Sequence, residues 1–265
     1  MPGITYHRPA SIAEAAKLAA ASEDARFLAG GQSVLPSMRL GLLAPSAFVD
    51  LGNIAELKGI RVDGKNVVIG AMTSHADVAE SREVQGKIPA LAELAAGIGD
   101  RQVRNRGTLG GSIANSDPAA DYPAGVLGLG ATVRTNARTV AADDFFKGLF
   151  ETALKPGEII AAVTFPVPER AAYVKFAQPA SRFALVGVFV AQFGKSVRVA
   201  VTGAGACAFR VRALEEALAK RFAPEACDGI DVPSTSLNSD IHGSAKYRAH
   251  LIAVLARRAV ARALG

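Results

Sequence analysis

A glycine-rich segment near the middle of the chain, residues 97–121, has the residue types best suited to ligand binding. It contains five glycines, three arginines and three aspartates, and within it Thr108 and Ser112 flank the pair Gly110-Gly111. Glycine lets a backbone approach a ligand closely, and consecutive N–H groups can then point at one anion. Because the segment shows almost no apolar periodicity, we expect a long loop of the kind that often carries function. Its backbone donors, hydroxyls and arginines together suit a diphosphate.

A second glycine pair lies upstream, in residues 28–36 (LAGGQSVLP). This segment follows a short apolar run and precedes a predicted helical turn, whose backbone donors can face an anion. Its spacing matches neither the three-glycine dinucleotide fingerprint nor a phosphate loop with its lysine. Each Gly-Gly pair alone is also explained by a turn or bulge. The two segments together predict one long diphosphate ligand that is held from two sides.

The composition is that of an ordinary globular protein. Half of the 265 residues are hydrophobic, a fifth are charged, and the net charge is +6. The basic residues are not interleaved with aromatics, so we expect no nucleic-acid partner. Cys207 and Cys227 form no CxxC pair, and no disulfide framework, iron–sulfur cluster or zinc site is predicted. The N-terminus has no signal-peptide pattern and no apolar run reaches the roughly 18 residues of a membrane span, so we expect a cytoplasmic protein.

The N-terminal part of the chain predicts a small parallel sheet. Strands at 4–6, 26–29 and 47–51 are separated by a helix at 11–22 and a short helix after the first glycine segment. Ser11 and Glu14 form a predicted capping box. Such an order implies parallel strands with right-handed crossovers. The first glycine segment then lies at the carboxyl end of its strand, where such sheets usually bind ligands.

The pattern changes after residue 57. Residues 60–62 and 67–69 alternate around Asp63-Gly64, which is typical of a hairpin. Ser74 and Asp77 predict a capped helix over 74–81, in which we interpret His75 as a surface or capping residue rather than a ligand. Further predicted strands are 131–135, 139–141, 159–165, 173–178, 185–193 and 197–202, and further predicted helices are 87–96, 211–222 and 245–264.

Five motifs carry a resemblance to a known family. They are AGGQSVLP (29–36), IGAMTSHADVAES (69–81), IGDRQVRNRGTLGGSIANSDPAAD (98–121), LKPGEII (154–160) and SDIHGSAKYRAHL (239–251). Through them the chain resembles the flavoprotein (medium) subunit of the molybdenum hydroxylases, which include carbon monoxide dehydrogenase and bacterial xanthine dehydrogenase-type enzymes. The resemblance implies an α+β fold of the vanillyl-alcohol-oxidase FAD-binding type. It also implies two FAD-binding subdomains, residues 1–55 and 56–167, and a C-terminal α+β domain, residues 168–265.

The resemblance also implies the residues that bind FAD. The first glycine segment would contact the diphosphate and ribityl region, and the second would do so from the opposite side. Asp117 and Asp121 would take hydroxyls of the adenosine half, while the main chain near Ile159 and Ile160 and the Lys175 side chain would lie near the flavin. No catalytic base and no metal ligand is assigned. The glycine-segment residues are Ala29, Gly30, Gly31, Gln32, Ser33, Val34, Thr108, Gly110, Gly111 and Ser112.

Electron transfer is the function that the resemblance implies. A large subunit with a molybdenum cofactor would oxidise the substrate, and electrons would pass through [2Fe-2S] clusters of a small subunit to the FAD of this chain and then to a terminal acceptor. The assembly would be a dimer of heterotrimers. Two alternatives stay open, a stand-alone FAD-dependent oxidoreductase and a non-catalytic adaptor with the same fold. The four histidines and four tyrosines are not clustered, which disfavours the first alternative.

The sequence allows two roles for several charged residues. Arg101, Arg104 and Arg106 would either steer an anionic cofactor or dock the iron–sulfur subunit, or else they would hold the loop or lie in solvent. Lys175 would either stabilise the reduced flavin or be a solvated strand residue.

Overall fold

A parallel three-stranded sheet begins the chain in the computed structural model, which describes residues 3–265. Its strand order is β1-β3-β2, as the alternation of strands and helices predicts. The Ser11 hydroxyl accepts the Glu14 N–H and caps the first helix, but the Glu14 carboxylate returns to the N–H of Ala10 rather than to that of Ser11. The elements are β1 Thr5–His7, α1 Ile12–Ala20, β2 Ala25–Leu28, α2 Val34–Arg39 and β3 Ala47–Asp50.

The N-terminal sheet is packed against the middle part of the chain. Its small apolar core contains Ala15 and Val49, and it is completed by Ala161, from a strand of the next sheet, and by Ile159, which lies just before that strand. The carboxyl ends of β1, β2 and β3 therefore lie at one edge of a sheet whose position is fixed by burial of apolar surface.

A five-stranded antiparallel sheet forms the middle part, in the order β4-β5-β10-β6-β7. The hairpin predicted around Asp63-Gly64 is confirmed, with Asp63 opposite Asn66. The remaining two strands form a separate short ribbon. The strands are β4 Ile60–Asp63, β5 Asn66–Gly70, β6 Thr132–Thr135, β7 Thr139–Ala141, β8 Phe146–Gly148, β9 Glu151–Thr152 and β10 Ile160–Pro166.

The expectation of one long loop over residues 97–121 is wrong, because the segment contains two short helices. Each begins at a side-chain cap: Asp100 accepts the Val103 N–H at 2.8 Å, and Thr108 accepts the Gly111 N–H at 3.1 Å. Helices this short show little periodicity and depend on tertiary packing. The helices of this part are α3 His75–Glu80, α4 Arg82–Lys87, α5 Pro89–Ala96, α6 Arg101–Arg106, α7 Leu109–Asn115, α8 Tyr122–Gly128 and α9 Ala142–Phe145.

The C-terminal part is an antiparallel sheet with helices on one face. Its other face is covered by α5 and α8, so that Tyr173 and Phe189 belong to the same core as Leu91 and Val126. The predicted strands and helices are confirmed to within a few residues. They are β11 Arg170–Ala177, β12 Ala184–Phe193, β13 Ser196–Thr202, β14 Phe209–Arg210, α10 Arg212–Lys220 and α11 Ala245–Leu264.

The whole is a mixed α and β fold with parallel and antiparallel sheets, as predicted. Within residues 3–265, no helix combines the length and hydrophobicity that crossing a membrane requires.

Candidate functional site

The two glycine segments are in contact. A Cβ added to Gly30 would lie 2.1 Å from the carbonyl oxygen of Arg106 and 2.7 Å from the Cα of Gly107. One added to Gly111 would lie 3.4 Å from the Cβ of Ala29. The structure thus brings together the two segments that the sequence places about 80 residues apart, and glycine at position 30 is what allows the two backbones to approach.

The first segment has a row of free backbone donors. Gly31 has a φ of +76°, which turns the chain sharply at the carboxyl end of β2. Among the hydrogen bonds of residues 3–265, the N–H groups of Gly31, Gln32, Ser33 and Val34 reach no protein acceptor. Gln32 and Ser33 are exposed. Consecutive unpaired N–H groups beside a positive-φ glycine are a donor set that can bind an anion. Binding of a diphosphate by residues 29–34 stays a prediction.

The second segment differs from its prediction, because its backbone donors are already bonded. Gly110 donates to the Ala71 carbonyl at 2.8 Å, Gly111 to the Thr108 hydroxyl at 3.1 Å, and Ser112 to the Thr108 carbonyl at 3.0 Å. Gly110 is required for packing, since an added Cβ would lie 2.5 Å from the Cβ of Ala71. The expectation that these N–H groups point at an anion is therefore wrong. Contact of Gly110 and Gly111 with a cofactor stays a prediction. In such a contact, the missing side chain of glycine would let the cofactor come close to the backbone.

His75 lies beneath the second segment. It is 5 % exposed, and its N–H donates to the Gly107 carbonyl at 2.9 Å. Burial, aided by the nearby charge of Arg104, lowers the pKa of His75 to about 4. The interpretation of His75 as a surface residue is therefore wrong, although the cap by Ser74 is confirmed. The ring packs 5.3 Å from that of Tyr122, and an added Cβ at Gly107 would lie 2.5 Å from Nε2.

Asp121 and Lys175 form a buried ion pair. Lys175 Nζ lies 3.0 Å from the Asp121 carboxylate, which also accepts the Tyr173 hydroxyl at 2.5 Å. Burial raises the pKa of Asp121, and Lys175 and Tyr173 act against that rise. The family resemblance places Asp121 at the adenosine half of FAD and Lys175 at the flavin. Because the two groups touch, they cannot serve opposite ends of an extended cofactor, so the two assignments cannot both hold.

The turn before α6 is held by cations. Lys175 donates to the Gly97 carbonyl at 2.9 Å, Arg104 donates to those of Ile98 and Gly99 at 3.0 Å, and Arg182 donates to Gly99 at 3.2 Å. These carbonyls follow the C-terminus of α5, where positive charge is favourable. Arg104 therefore holds the segment in place.

Asp117 and Ile160 have defined structural partners. Asp117 accepts the Ala119 N–H at 2.9 Å and stabilises the turn that leads to Asp121. Ile160 is buried, and the carbonyl of the next residue, Ala161, accepts the Ala71 N–H at 3.0 Å. Since the Ala71 carbonyl accepts from Gly110, Ile160 lies close to the second glycine segment. Contact of Asp117 and Ile160 with the cofactor stays a prediction.

No group of three or more potential metal-ligating side chains occurs within residues 3–265. The donors described above instead suit an anionic organic ligand, because they are backbone N–H groups, hydroxyls and cationic side chains.

Comparison with known proteins identifies the family. A family model described as "FAD binding domain in molybdopterin dehydrogenase" matches residues 2–168. The chain belongs to this family. Its first 168 residues thus include the FAD-binding domain that the resemblance implied.

The relatives named as medium subunits match over nearly their whole length. The nicotine 6-hydroxylase medium subunit of Paenarthrobacter nicotinovorans is 38 % identical, with 99 % of this chain and 98 % of the relative covered. The carbon monoxide dehydrogenase medium chain of Afipia carboxidovorans is also 38 % identical, with the same coverage.

Solved structures of this family have the same fold. A chain of the Cu,Mo-CO dehydrogenase in its cyanide-inactivated form matches with a TM-score of 0.87 at 36 % identity, over 99 % of this chain and 98 % of that one. A chain of quinoline 2-oxidoreductase from Pseudomonas putida 86 matches with a TM-score of 0.87 at 32 % identity, over 99 % and 97 %. These likenesses confirm the sequence-based assignment to the flavoprotein subunits of molybdenum hydroxylases.

Two features of the site were not predicted from the sequence. The close approach of Gly30 to Arg106 joins distant segments and has no local signal. The capped start of α7 did have one, since threonine is among the residues preferred at a helix N-cap.

Proposed function

We propose that this chain is the FAD-binding electron-transfer subunit of a heteromeric molybdenum hydroxylase. Its partners would be a large subunit with the molybdenum cofactor and a small subunit with [2Fe-2S] clusters, assembled as a dimer of heterotrimers in the cytoplasm. We also propose that the fold is of the vanillyl-alcohol-oxidase type, with part boundaries near residues 55 and 167. The family match over residues 2–168 and the medium subunits that this chain matches over nearly their whole length support the proposal.

The observation that carries the proposal is the row of unpaired N–H groups from Gly31 to Val34 beside the second glycine segment. Those donors fit a diphosphate, and the close contact of the two segments fits one that is covered from both sides. Residues 29–34 would bind the diphosphate, with Thr108, Gly110, Gly111 and Ser112 on the opposite side. Bound FAD supplies a redox centre that can accept and deliver electrons singly or in pairs.

The remaining residues would position the cofactor and set its surroundings. Lys175 is held at a defined place by Asp121 and the Gly97 carbonyl, and a fixed cation near a flavin would favour its anionic reduced form. No side chain is assigned as a general base. The role of the chain would be to hold the redox group, exclude water from part of it and connect it to its partners.

The test is to purify the chain and record its visible absorption spectrum. The cofactor is then released by heat and identified by chromatography. We expect flavin bands and stoichiometric FAD. A colourless preparation that takes up no added FAD contradicts the proposal and leaves the adaptor alternative.

Co-expression with the genes beside it tests the electron-transfer role. We expect the chain to co-purify with two further subunits, and its flavin to be reduced by substrate only in the assembled complex. Reduction of the isolated chain by an organic substrate would instead identify a stand-alone oxidoreductase.

A further inference from the structure

The fifth sequence motif, residues 239–251, takes no part in the sites described so far and lies beyond the part of the chain that the family model matches. Its Arg248, on α11, is only 3 % exposed. The guanidinium donates to the carbonyls of Leu185 and Gly203, at 2.8 Å each, and to the Asp240 carboxylate at 2.7 Å. A buried charge is costly unless its donors are bonded. The arginine is therefore explained by the groups that it holds rather than by apolar packing.

The two carbonyls that Arg248 holds lie at adjacent ends of β12 and β13, and these ends bind the last part of the glycine-rich segment. Leu185 is the second residue of β12, and Gly203 directly follows β13. The position of residues 118–120 depends on these strand ends, because donors of the two ends reach three consecutive backbone carbonyls. The donors are the Gly203 N–H at 2.7 Å from Pro118, the Ala184 N–H at 3.3 Å from Ala119 and the Thr202 hydroxyl at 2.6 Å from Ala120.

Residues 118–120 connect two of the predicted cofactor contacts. Asp117 precedes them and accepts the Ala119 N–H, and Asp121 follows them with its carboxylate bonded to Lys175. Because this connection is only three residues long, a displacement of its backbone moves the aspartates at both of its ends. The bonds that fix residues 118–120 therefore also fix Asp117 and Asp121.

The same motif also reaches the start of the glycine-rich segment. Within the motif, the Asp240 carboxylate accepts the N–H of His242 at 2.9 Å. The Nδ1 atom of His242 lies 2.8 Å from Nε2 of Gln178, in the loop between β11 and β12. Arg182 of that loop donates to the Gly99 carbonyl at 3.2 Å. The motif is thus connected to both ends of the segment, through one strand junction and one loop.

We propose that Arg248 is a positioning residue of the cofactor site. It holds the ends of β12 and β13 where they fix Asp117 and Asp121, and it acts through the backbone of residues 118–120 rather than by contact with the cofactor. The inference rests on the proposed FAD binding and deepens it. It gives a motif outside the matched FAD-binding domain a role in holding FAD.

The test measures the FAD affinity of the full chain, freed of FAD, by calorimetric titration well below the thermal transition of every variant. Arg248→Met removes the guanidinium, Arg248→Lys keeps the charge with fewer donors, and Thr202→Val removes only the hydroxyl that reaches Ala120. Arg257→Met is the matched control, because Arg257 is on the same helix but its side chain is 51 % exposed. Visible circular dichroism of the bound flavin reports its surroundings, and urea unfolding measures stability separately.

We expect Arg248→Met to weaken FAD binding about tenfold, the factor that a lost hydrogen bond to a charged group typically carries. Arg248→Lys should lie between Arg248→Met and wild type, and the flavin circular dichroism should change in Arg248→Met. Because Arg248 and Thr202 act on the same three residues, the double variant Arg248→Met/Thr202→Val should weaken binding by less than the product of the two single effects. Arg257→Met should match wild type in both measurements.

Two results overturn the inference. One is wild-type FAD affinity and flavin circular dichroism in Arg248→Met together with lowered stability, since the arginine would then only stabilise the C-terminal part. The other is a double variant in which the two effects on FAD affinity multiply independently, since Arg248 would then not act through residues 118–120. If Arg248→Met does not fold, Arg248→Lys takes its place in both comparisons. Both results differ from failure of the proposed function, in which the wild-type chain itself takes up no FAD.

Discussion

Lys175 Nζ lies 3.0 Å from the Asp121 carboxylate, and the pair joins strand β11 to the end of the glycine-rich segment. Because both groups are largely buried, removal of one leaves the other uncompensated. We predict that Lys175→Met lowers the free energy of unfolding by about 3–5 kcal/mol, as is typical of a broken buried pair. The double variant Lys175→Met/Asp121→Asn should lose less than the sum of the single variants. Urea unfolding measures each value.

A surface pair provides the control for that experiment. Arg257 and Asp228 are 2.8 Å apart, but their side chains are 51 % and 53 % exposed. Solvent screens such a pair, so Arg257→Met should cost at most about 1 kcal/mol. Equal losses in Lys175→Met and Arg257→Met would show that the Asp121–Lys175 pair is not buried as described.

Substitution of Gly30 should disturb both stability and FAD binding, because a glycine at this position lets the two glycine segments meet. In Gly30→Ala the new methyl group would overlap the Arg106 carbonyl, and we expect the segments to separate. Overpacking of this kind costs about 1–3 kcal/mol, and FAD affinity should fall sharply. Calorimetric titration with FAD and a thermal melt measure the two effects. Gly86→Ala in α4 is the control, since nothing lies within 4 Å of its added Cβ.

Wild-type FAD affinity in Gly30→Ala would contradict this account of the site. It would mean that contact between the two segments is not needed to hold the cofactor.

His75 should make stability depend on pH between about 6.5 and 4. The buried imidazole is neutral when folded, with a pKa lowered to about 4, whereas the unfolded residue titrates near the ordinary value of 6.5. The unfolded state therefore binds more protons in this window, and stability falls as the pH falls, by about 3 kcal/mol in total. His75→Gln should remove this slope in urea unfolding across the window. His250→Gln, at an exposed histidine, should keep it.

Glu158 should act in a lower pH window. It accepts hydrogen bonds from Arg138 at 2.9 Å, Thr135 at 2.7 Å and the Lys155 N–H at 2.8 Å. The bond from Arg138 is the main reason that the pKa of Glu158 is lowered from 4.5 to about 2. The stabilisation is present above pH 4.5 and is lost as the pH falls to 2.

We predict that Glu158→Gln costs about 1–2 kcal/mol at pH 7, a reduced value because Arg138 is 38 % exposed. The loss should shrink toward pH 2, and thermal melts between pH 7 and 2 measure it. A loss that is constant over this range would show that the carboxylate charge makes no contribution.

The elements that sequence analysis predicted well are those with local signals. Ser74 and Asp77 form a reciprocal cap, and Asp63-Gly64 forms a hairpin turn, because each depends on residues a few positions apart. The parallel order of the first sheet follows from the strand–helix alternation. The sequence predicts the two glycine segments on opposite sides of one ligand, and the structure places them in direct contact at Gly30 and Arg106.

What could not be predicted depends on contacts between distant residues. His75 is buried because Gly107 and Tyr122 cover it, and neither is near it in sequence. The Gly110 N–H is unavailable because the Ala71 carbonyl accepts it. Asp121 and Lys175 were assigned different roles because the sequence does not show that they touch.

The core that contains Leu91, Val126, Tyr173 and Phe189 crosses the point at which the family match ends, near residue 168. A truncated protein that ends there would lack Tyr173 and Phe189, and the apolar faces of α5 and α8 that they cover would be exposed to solvent. We therefore expect the matched portion alone to aggregate when expressed. Exchange of C-terminal portions between relatives should give folded proteins only when the core-facing residues of α5 and α8 are exchanged with them. The part of the chain that must change together is therefore larger than the part after the family match.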